Sequence, residues 1–112
     1  MKKETDVFRA ATRPRKNIAE SVRVRRIRSA RELQKAFAIR MRVFVKEQRV
    51  PAEIELDADD QRAIHLLATV SGKAVGTARV VQRRAGAKIG RMAVIKRYRG
   101  HGVGKKLLQR AI

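Results

Sequence analysis

Tyr98 is followed by Arg99-Gly100-His101-Gly102-Val103-Gly104-Lys105-Lys106, in which three glycines alternate with other residues between cations. Upstream lies the extended pattern Ile89-Gly90-Arg91-Met92-Ala93-Val94; downstream, Val103, Leu107, Leu108 and Ala111 recur at helical spacing. The order strand, glycine-rich turn, helix is that of a phosphate cradle. Glycines leave backbone N–H groups bare and admit φ angles closed to other residues. The helix that follows points its positive dipole end and its free N–H groups at whatever sits in the turn. Arg99, Lys105 and Lys106 bring charge to the same end. Such a loop suits an anion of pyrophosphate type, held largely by backbone. It is not a Walker loop, because no Gly-Lys-Ser/Thr closes it. It is not a Rossmann fingerprint, because the strands before it read as hairpins. From the glycines alone, an ordinary turn before an ordinary helix remains the alternative.

Other chemistry is sparse. The chain has no cysteine and two histidines, which excludes a thiol nucleophile, a disulfide scaffold and a Cys-ligated metal, and argues against a His-rich metal site. His101 sits inside the glycine loop, either as a surface turn residue or as a backbone contact to phosphate. His65 opens a strand and is expected as a packed, hydrogen-bonded histidine rather than a substrate ligand. Glu47 ends an apolar helical run, where a carboxylate opposes the helix dipole and its placement needs another reason. Asp57 and Asp60 are expected to partner arginines. Arg79 and Arg91 lie in strands, solvated or paired, and Arg83-Arg84 reads as a solvated tip.

The elements that must position these groups can be read in order. Val22, Val24 and Ile27 suggest a strand over 21–28. Ser29-Ala30-Arg31-Glu32 carries the capping-box pattern, with Ser29 accepting from Glu32 and Glu32 reaching back to Ser29. Leu33, Phe37, Met41, Phe44 and Val45 then predict a helix over 30–46 packing through that face. Residues 47–60 hold six of the ten acids and read as a loop. Ile64, Leu66, Ala68 and Val70 alternate with His65, Leu67 and Thr69, a two-faced strand. Ser71-Gly72-Lys73 is a hairpin turn, Ala74 to Gln82 the return strand, Arg83 to Ala87 a second turn and Lys88 to Val94 a third strand. All seven glycines fall after residue 71.

At 112 residues the chain is one domain at most. Its charge is 29 basic against 10 acidic residues, net +19. All ten acids lie in residues 1–60, leaving +6 there and +13 in residues 61–112. Such a field attracts polyanions, nucleic acid or a phosphorylated cofactor alike. Aromatics at 4% and the absence of a nucleic-acid-binding motif leave only nonspecific charge for the former. Residues 1–21 read as a solvated basic leader, with a nucleic-acid-binding arm as the alternative. No apolar run approaches the ~20 residues of a membrane span, and the start has no signal-peptide core, so a cytoplasmic location and no membrane partner are expected.

Arg99, Gly102 and Gly104 after the strand 89–94 resemble motif A of the GNAT superfamily of acetyl-CoA-dependent N-acyltransferases. The resemblance extends over 22–112. Arg42-Val43-Phe44-Val45-Lys46-Glu47-Gln48-Arg49-Val50-Pro51, then Asp57, Asp60 and His65, are similar to the bacterial branch that includes YjcF- and ElaA-like proteins. Val75-Gly76-Thr77-Ala78-Arg79 and Lys88 to Val94 continue the likeness in order. It implies an α/β fold with a GNAT-like mixed sheet, and an N-acetyltransferase that transfers acetyl from acetyl-CoA directly to an amine, with no metal. It implies that backbone of Met92, Ala93 and Val94 holds the pantetheine arm, and that Arg99, Gly100, His101, Gly102, Val103, Gly104 and Lys105 bind the pyrophosphate. It suggests Glu47 as an acceptor-site residue that takes the amine proton. A GNAT domain continues past this helix into another strand, a helix and a hairpin, and often draws a thiolate-protonating tyrosine from there; Tyr98 does not match that position. Residues 22–112 are thus expected as the N-terminal portion of the domain, with an exposed sheet edge open to self-association. A coenzyme A- or nucleotide-binding module without turnover is the alternative function, and a basic nucleic-acid-binding protein the second.

Overall fold

The computed structural model describes residues 18–51 and 57–112. Most of the expected leader, and Glu53 and Glu55 of the acidic segment, lie outside the described residues. Residues 18–21 form a helical turn, and the Ala19 carbonyl accepts from Lys106 Nζ at 2.6 Å.

Strand β1 runs Val22–Arg26 and helix α1 Ala30–Arg40. Ser29 caps α1 as its type predicts, its hydroxyl accepting the Glu32 N–H at 3.2 Å. Glu32 does not close the box on Ser29. Its carboxylate reaches one residue further back, to the Arg28 N–H at 3.3 Å, and its other oxygen pairs with Arg25. The helix expected over 30–46 changes pitch at Met41: Met41–Glu47 is π-helical. Gln48 N–H donates to Val43 O and Val50 N–H to Phe44 O, with Arg49 between them at φ 61°. Single π turns recur where a helix must re-aim a side chain; here the last residue of the turn is Glu47.

The face that α1 buries is also displaced from the one predicted. Ala36, Ile39, Arg40 and Val43 are buried, whereas Leu33, Phe37, Met41, Phe44 and Val45 are half-buried. The small Ala36 lets the helix approach the sheet, and Phe37 stands at the flank. There its ring meets His65 edge-on at 5.7 Å and lies 5.2 Å beneath the Arg40 guanidinium.

Strands β2 (Ile64–Val70), β3 (Lys73–Arg83) and β4 (Gly86–Val94) complete a sheet of order β1-β2-β3-β4. Every pairing among the described residues is antiparallel. Ser71 and Gly72, both at positive φ, make the β2–β3 turn. The alternation in β2 is realised as read: Leu66, Ala68 and Val70 enter one core with Val103 and Leu107, and Leu67 enters another with Ala36, Ile39 and Val43. One helix therefore covers each face. Helix α2, Val103–Ala111, lies on the first of these faces, directly over Gly76. A Cβ at Gly76 would stand 2.9 Å from Val103 Cγ1 and 3.3 Å from Ala93 O, so only glycine lets α2 sit this close to the sheet.

Candidate functional site

The loop is built on the end of β4. Ile95 N–H donates to Val75 O at 2.9 Å, the last rung of the β3–β4 ladder. A 3-10 turn, Lys96–Tyr98, then lifts the chain off the sheet, and Tyr98 packs beneath α2. Gly100 and Gly102 follow at φ 84° and 83°, left-handed backbone that disfavours any Cβ, and neither has an atom within 4 Å of where a Cβ would be. Gly102 is the N-cap of α2, and no side chain caps that end. The first N–H groups of α2 thus lie open behind a flexible-φ, space-lined turn, with exposed Lys105 beside them. This is the fit that an anion bound by backbone requires.

The expected ligand residues divide by what they can offer. Val103 and Ala93 bury their side chains in the core and present only backbone. Gly104 lies against Met92, its Cβ position 3.7 Å from the Met92 Sδ. Met92 belongs to a β-bulge: the β3–β4 register passes from Thr77↔Ala93 to Arg79↔Gly90, so Arg91 and Met92 together face Ala78. Arg91 sits at φ 45°, rare for a side chain of its size. The bulge bends the edge of β4 just where backbone of Met92 to Val94 is expected to meet a ligand. Among the described residues no strand pairs with the other edge of β4. His101 is half-buried and Arg99 exposed.

Glu47 and Arg99, 52 residues apart, form a two-pronged ion pair: Arg99 Nη2 donates to Glu47 Oε1 at 2.8 Å and Nη1 to Oε2 at 3.0 Å. Arg99 Nε donates to the Val94 carbonyl at 2.8 Å. The hydrogen bonds from Arg99 hold the Glu47 carboxyl below its ordinary value, aided by the charges of Arg99, Lys96 and Arg42. A depressed carboxyl is a weaker proton acceptor, so this geometry does not prepare Glu47 as a base while the pair is closed.

The expected Asp–Arg partnerships exist and are denser than the sequence suggested. Asp57 caps the 3-10 turn Ala58–Gln61, accepting from Asp59 N, while Asp60 accepts from Asp57 N. Asp60 takes both Nη groups of buried Arg40, at 2.7 and 3.1 Å, and shares Arg79 with Asp57. Asp57 also accepts from Arg91 of the bulge at 3.2 Å, and Asp59 accepts from Arg62 and Arg83. Burial pushes the Asp60 carboxyl up, but hydrogen bonds from Arg40 and Arg79 outweigh it and the net displacement is downward. His65 is buried as expected, its Nε2 2.9 Å from the Asp60 carbonyl, and Nδ1 has no hydrogen-bond partner among the described residues. The network ties α1, β3 and the β4 bulge to one turn. Sequence reading missed Arg40, whose position on a buried helical face carries no polar signal. It also missed the packing role of Gly76, which a glycine inside a strand does signal.

Comparison with known proteins bears on these features together. The profile of the acetyltransferase (GNAT) family matches residues 28–112. A Bacillus subtilis protein named as the uncharacterized N-acetyltransferase YjcF is 40% identical over 73 residues, which is 65% of this chain and 52% of that protein. The chain thus spans about half the length of this curated relative. Among solved structures, Escherichia coli ElaA superposes with a TM-score of 0.69 at 26% identity, covering 80% of this chain and 66% of ElaA. An acyl-CoA N-acyltransferase from Pseudomonas aeruginosa gives 0.72 at 28% identity, with 81% and 68% covered. With the family match running from Arg28, just before α1, through the glycine loop and α2 to Ile112, the chain belongs to the GNAT family of acetyltransferases.

Proposed function

We propose that the chain binds acetyl-CoA, with the pyrophosphate at Arg99 to Lys105 and the pantetheine arm along Met92 to Val94, and that it serves acetyl transfer to an amine. The observation that carries the reading is the pair of open, left-handed glycines at a helix N-terminus without a side-chain cap, beside a bulged strand edge that no described strand pairs with. Backbone N–H groups of Gly102 to Lys105 would meet the diphosphate, with Lys105 adding charge. Edge groups of β4 would meet the arm's amides and so set the thioester against the bulge. Direct transfer requires a neutral amine: its nitrogen attacks the thioester carbonyl, the carbon–sulfur bond breaks with coenzyme A leaving as its thiolate, and the amine proton passes to a base.

Titration calorimetry with coenzyme A tests the binding half. Gly102→Val combined with Gly104→Val forces a β-branched residue onto left-handed backbone and fills the approach beside Met92. The expected result is loss of binding with the circular dichroism spectrum retained. Unchanged affinity in this double variant overturns the assignment. Release of free thiol from acetyl-CoA over a panel of amines then separates a transferase from a module that only binds.

A further inference from the structure

The side chain of Arg99 lies where the proposed ligand should run. Successive residues of a strand turn their backbone groups to opposite edges. Because Ile95 N–H donates to Val75 O, the carbonyl of Val94 faces the open edge of β4, and there it accepts from Arg99 Nε. The guanidinium thus covers an edge carbonyl that the pantetheine arm would need. Its two terminal nitrogens are meanwhile held by Glu47. Three of the five N–H groups of Arg99 are committed in this way. The planar carboxylate matches the guanidinium fork as a phosphate would. The clasp is reversible: the two side chains are 41% and 36% exposed, and exposed ion pairs are weak.

We propose that Glu47, Arg99 and the Val94 carbonyl form a latch across the donor slot, in which Glu47 is an internal competitor for the arginine of the pyrophosphate loop. The inference rests on the reading that this loop takes coenzyme A. In the ligand-free chain Glu47 neutralises Arg99 and parks it over β4. An incoming diphosphate takes the guanidinium in place of the carboxylate, Nε leaves Val94 O, and the edge carbonyl becomes available. The π-helical end of α1, which delivers Glu47 to this position, is then freed from the loop. Donor occupancy is in this way communicated to the end of α1 through Glu47.

Calorimetry of the full chain with coenzyme A and, separately, with inorganic pyrophosphate tests the latch. Glu47→Gln keeps the shape and removes the charge that holds Arg99. Both probes are expected to bind about two- to fivefold tighter, the reach of an exposed ion pair. A lost negative charge could also raise anion affinity without any latch, so the cycle is completed with Arg99→Gln. In that background the gain from Glu47→Gln should vanish, because nothing remains to compete for. A gain that persists without Arg99, or Glu47→Gln binding equal to or weaker than the unaltered chain, overturns the latch and leaves the donor-site reading standing. Failure of the unaltered chain and of Glu47→Gln to bind coenzyme A overturns both.

Discussion

Asp60 sits at the centre of the network that joins α1 to β3. It accepts from Arg40, 1% exposed in its side chain, and from Arg79, 9% exposed. Replacing Asp60 by Asn leaves a buried guanidinium facing an amide, and breaking a buried pair by removing one partner costs about 3–5 kcal/mol. That is a large share of a small domain's stability, so a fall in denaturation midpoint should be plain in urea. The acid dependence has a defined sign. The Asp60 carboxyl is held below its ordinary value of 3.8 in the folded chain. Its contribution is therefore complete above that value and is lost as pH falls through the lower, folded one. Asp59, lowered chiefly by its hydrogen bond from Arg62, adds in the same direction. Stability should drop below about pH 4, with a shallower drop in Asp60→Asn. A parallel drop in both chains would assign the acid limb elsewhere. The sequence foretold that Asp57 and Asp60 would find arginines, since acids in a basic chain must. It could not say which, because the partners lie 19 to 34 residues away and are chosen by the fold.

Elements were legible where one interaction dominates. The two faces of β2 could be read because strict alternation has a single solution once both faces are covered. The glycine loop could be read because φ is written into residue type. The packing face of α1 was misplaced for the opposite reason. Its large side chains advertise burial, but the sheet admits the helix through Ala36, and Leu33, Phe37 and Met41 are left at its flanks. The π turn at Met41–Glu47 was invisible because three- and four-residue spacing is the same for a helix that widens late. Seating of α2 belongs to this scale as well. Gly76→Val would drive a branched side chain into Val103 Cγ1 and the Ala93 carbonyl, and α2 must lift to admit it. A cost of about 1–3 kcal/mol is expected from such overpacking, together with weaker coenzyme A binding, because the loop rides on α2. The control lies on the other strand face: Val81→Ile adds one methylene at a buried site that is not part of the core under α2, and should change stability without changing affinity. Equal loss of affinity in both would mean that the loop does not depend on how α2 is seated.

At the scale of the whole molecule, charge and sheet edges oppose one another. The two edges differ in protection. β1 reads Val-Arg-Val-Arg-Arg, and cations along an edge discourage pairing with another chain. β4 carries only Lys88 and Arg91, and Arg91 is turned to Asp57. Its outer edge should therefore be the adhesive one in a polypeptide of these 112 residues, with Ile89 and Met92 half-buried beside it. Against this stands a net charge of +19. Repulsion between copies acts over a Debye length of about 10 Å at 0.1 M salt and about 3 Å at 1 M. The backbone hydrogen bonds of a strand pair are short-ranged and survive that screening. Monomers are expected at low salt, with mass rising as salt is added, in light scattering across a salt series. Ile89→Lys should move the onset to higher salt by placing a further cation on β4. Coenzyme A should do the same in the unaltered chain by covering the edge at Met92 to Val94. A monomer that persists at 1 M salt would mean that the Arg99 side chain and the bulge already blunt the edge, which is the second way that natural sheets avoid pairing.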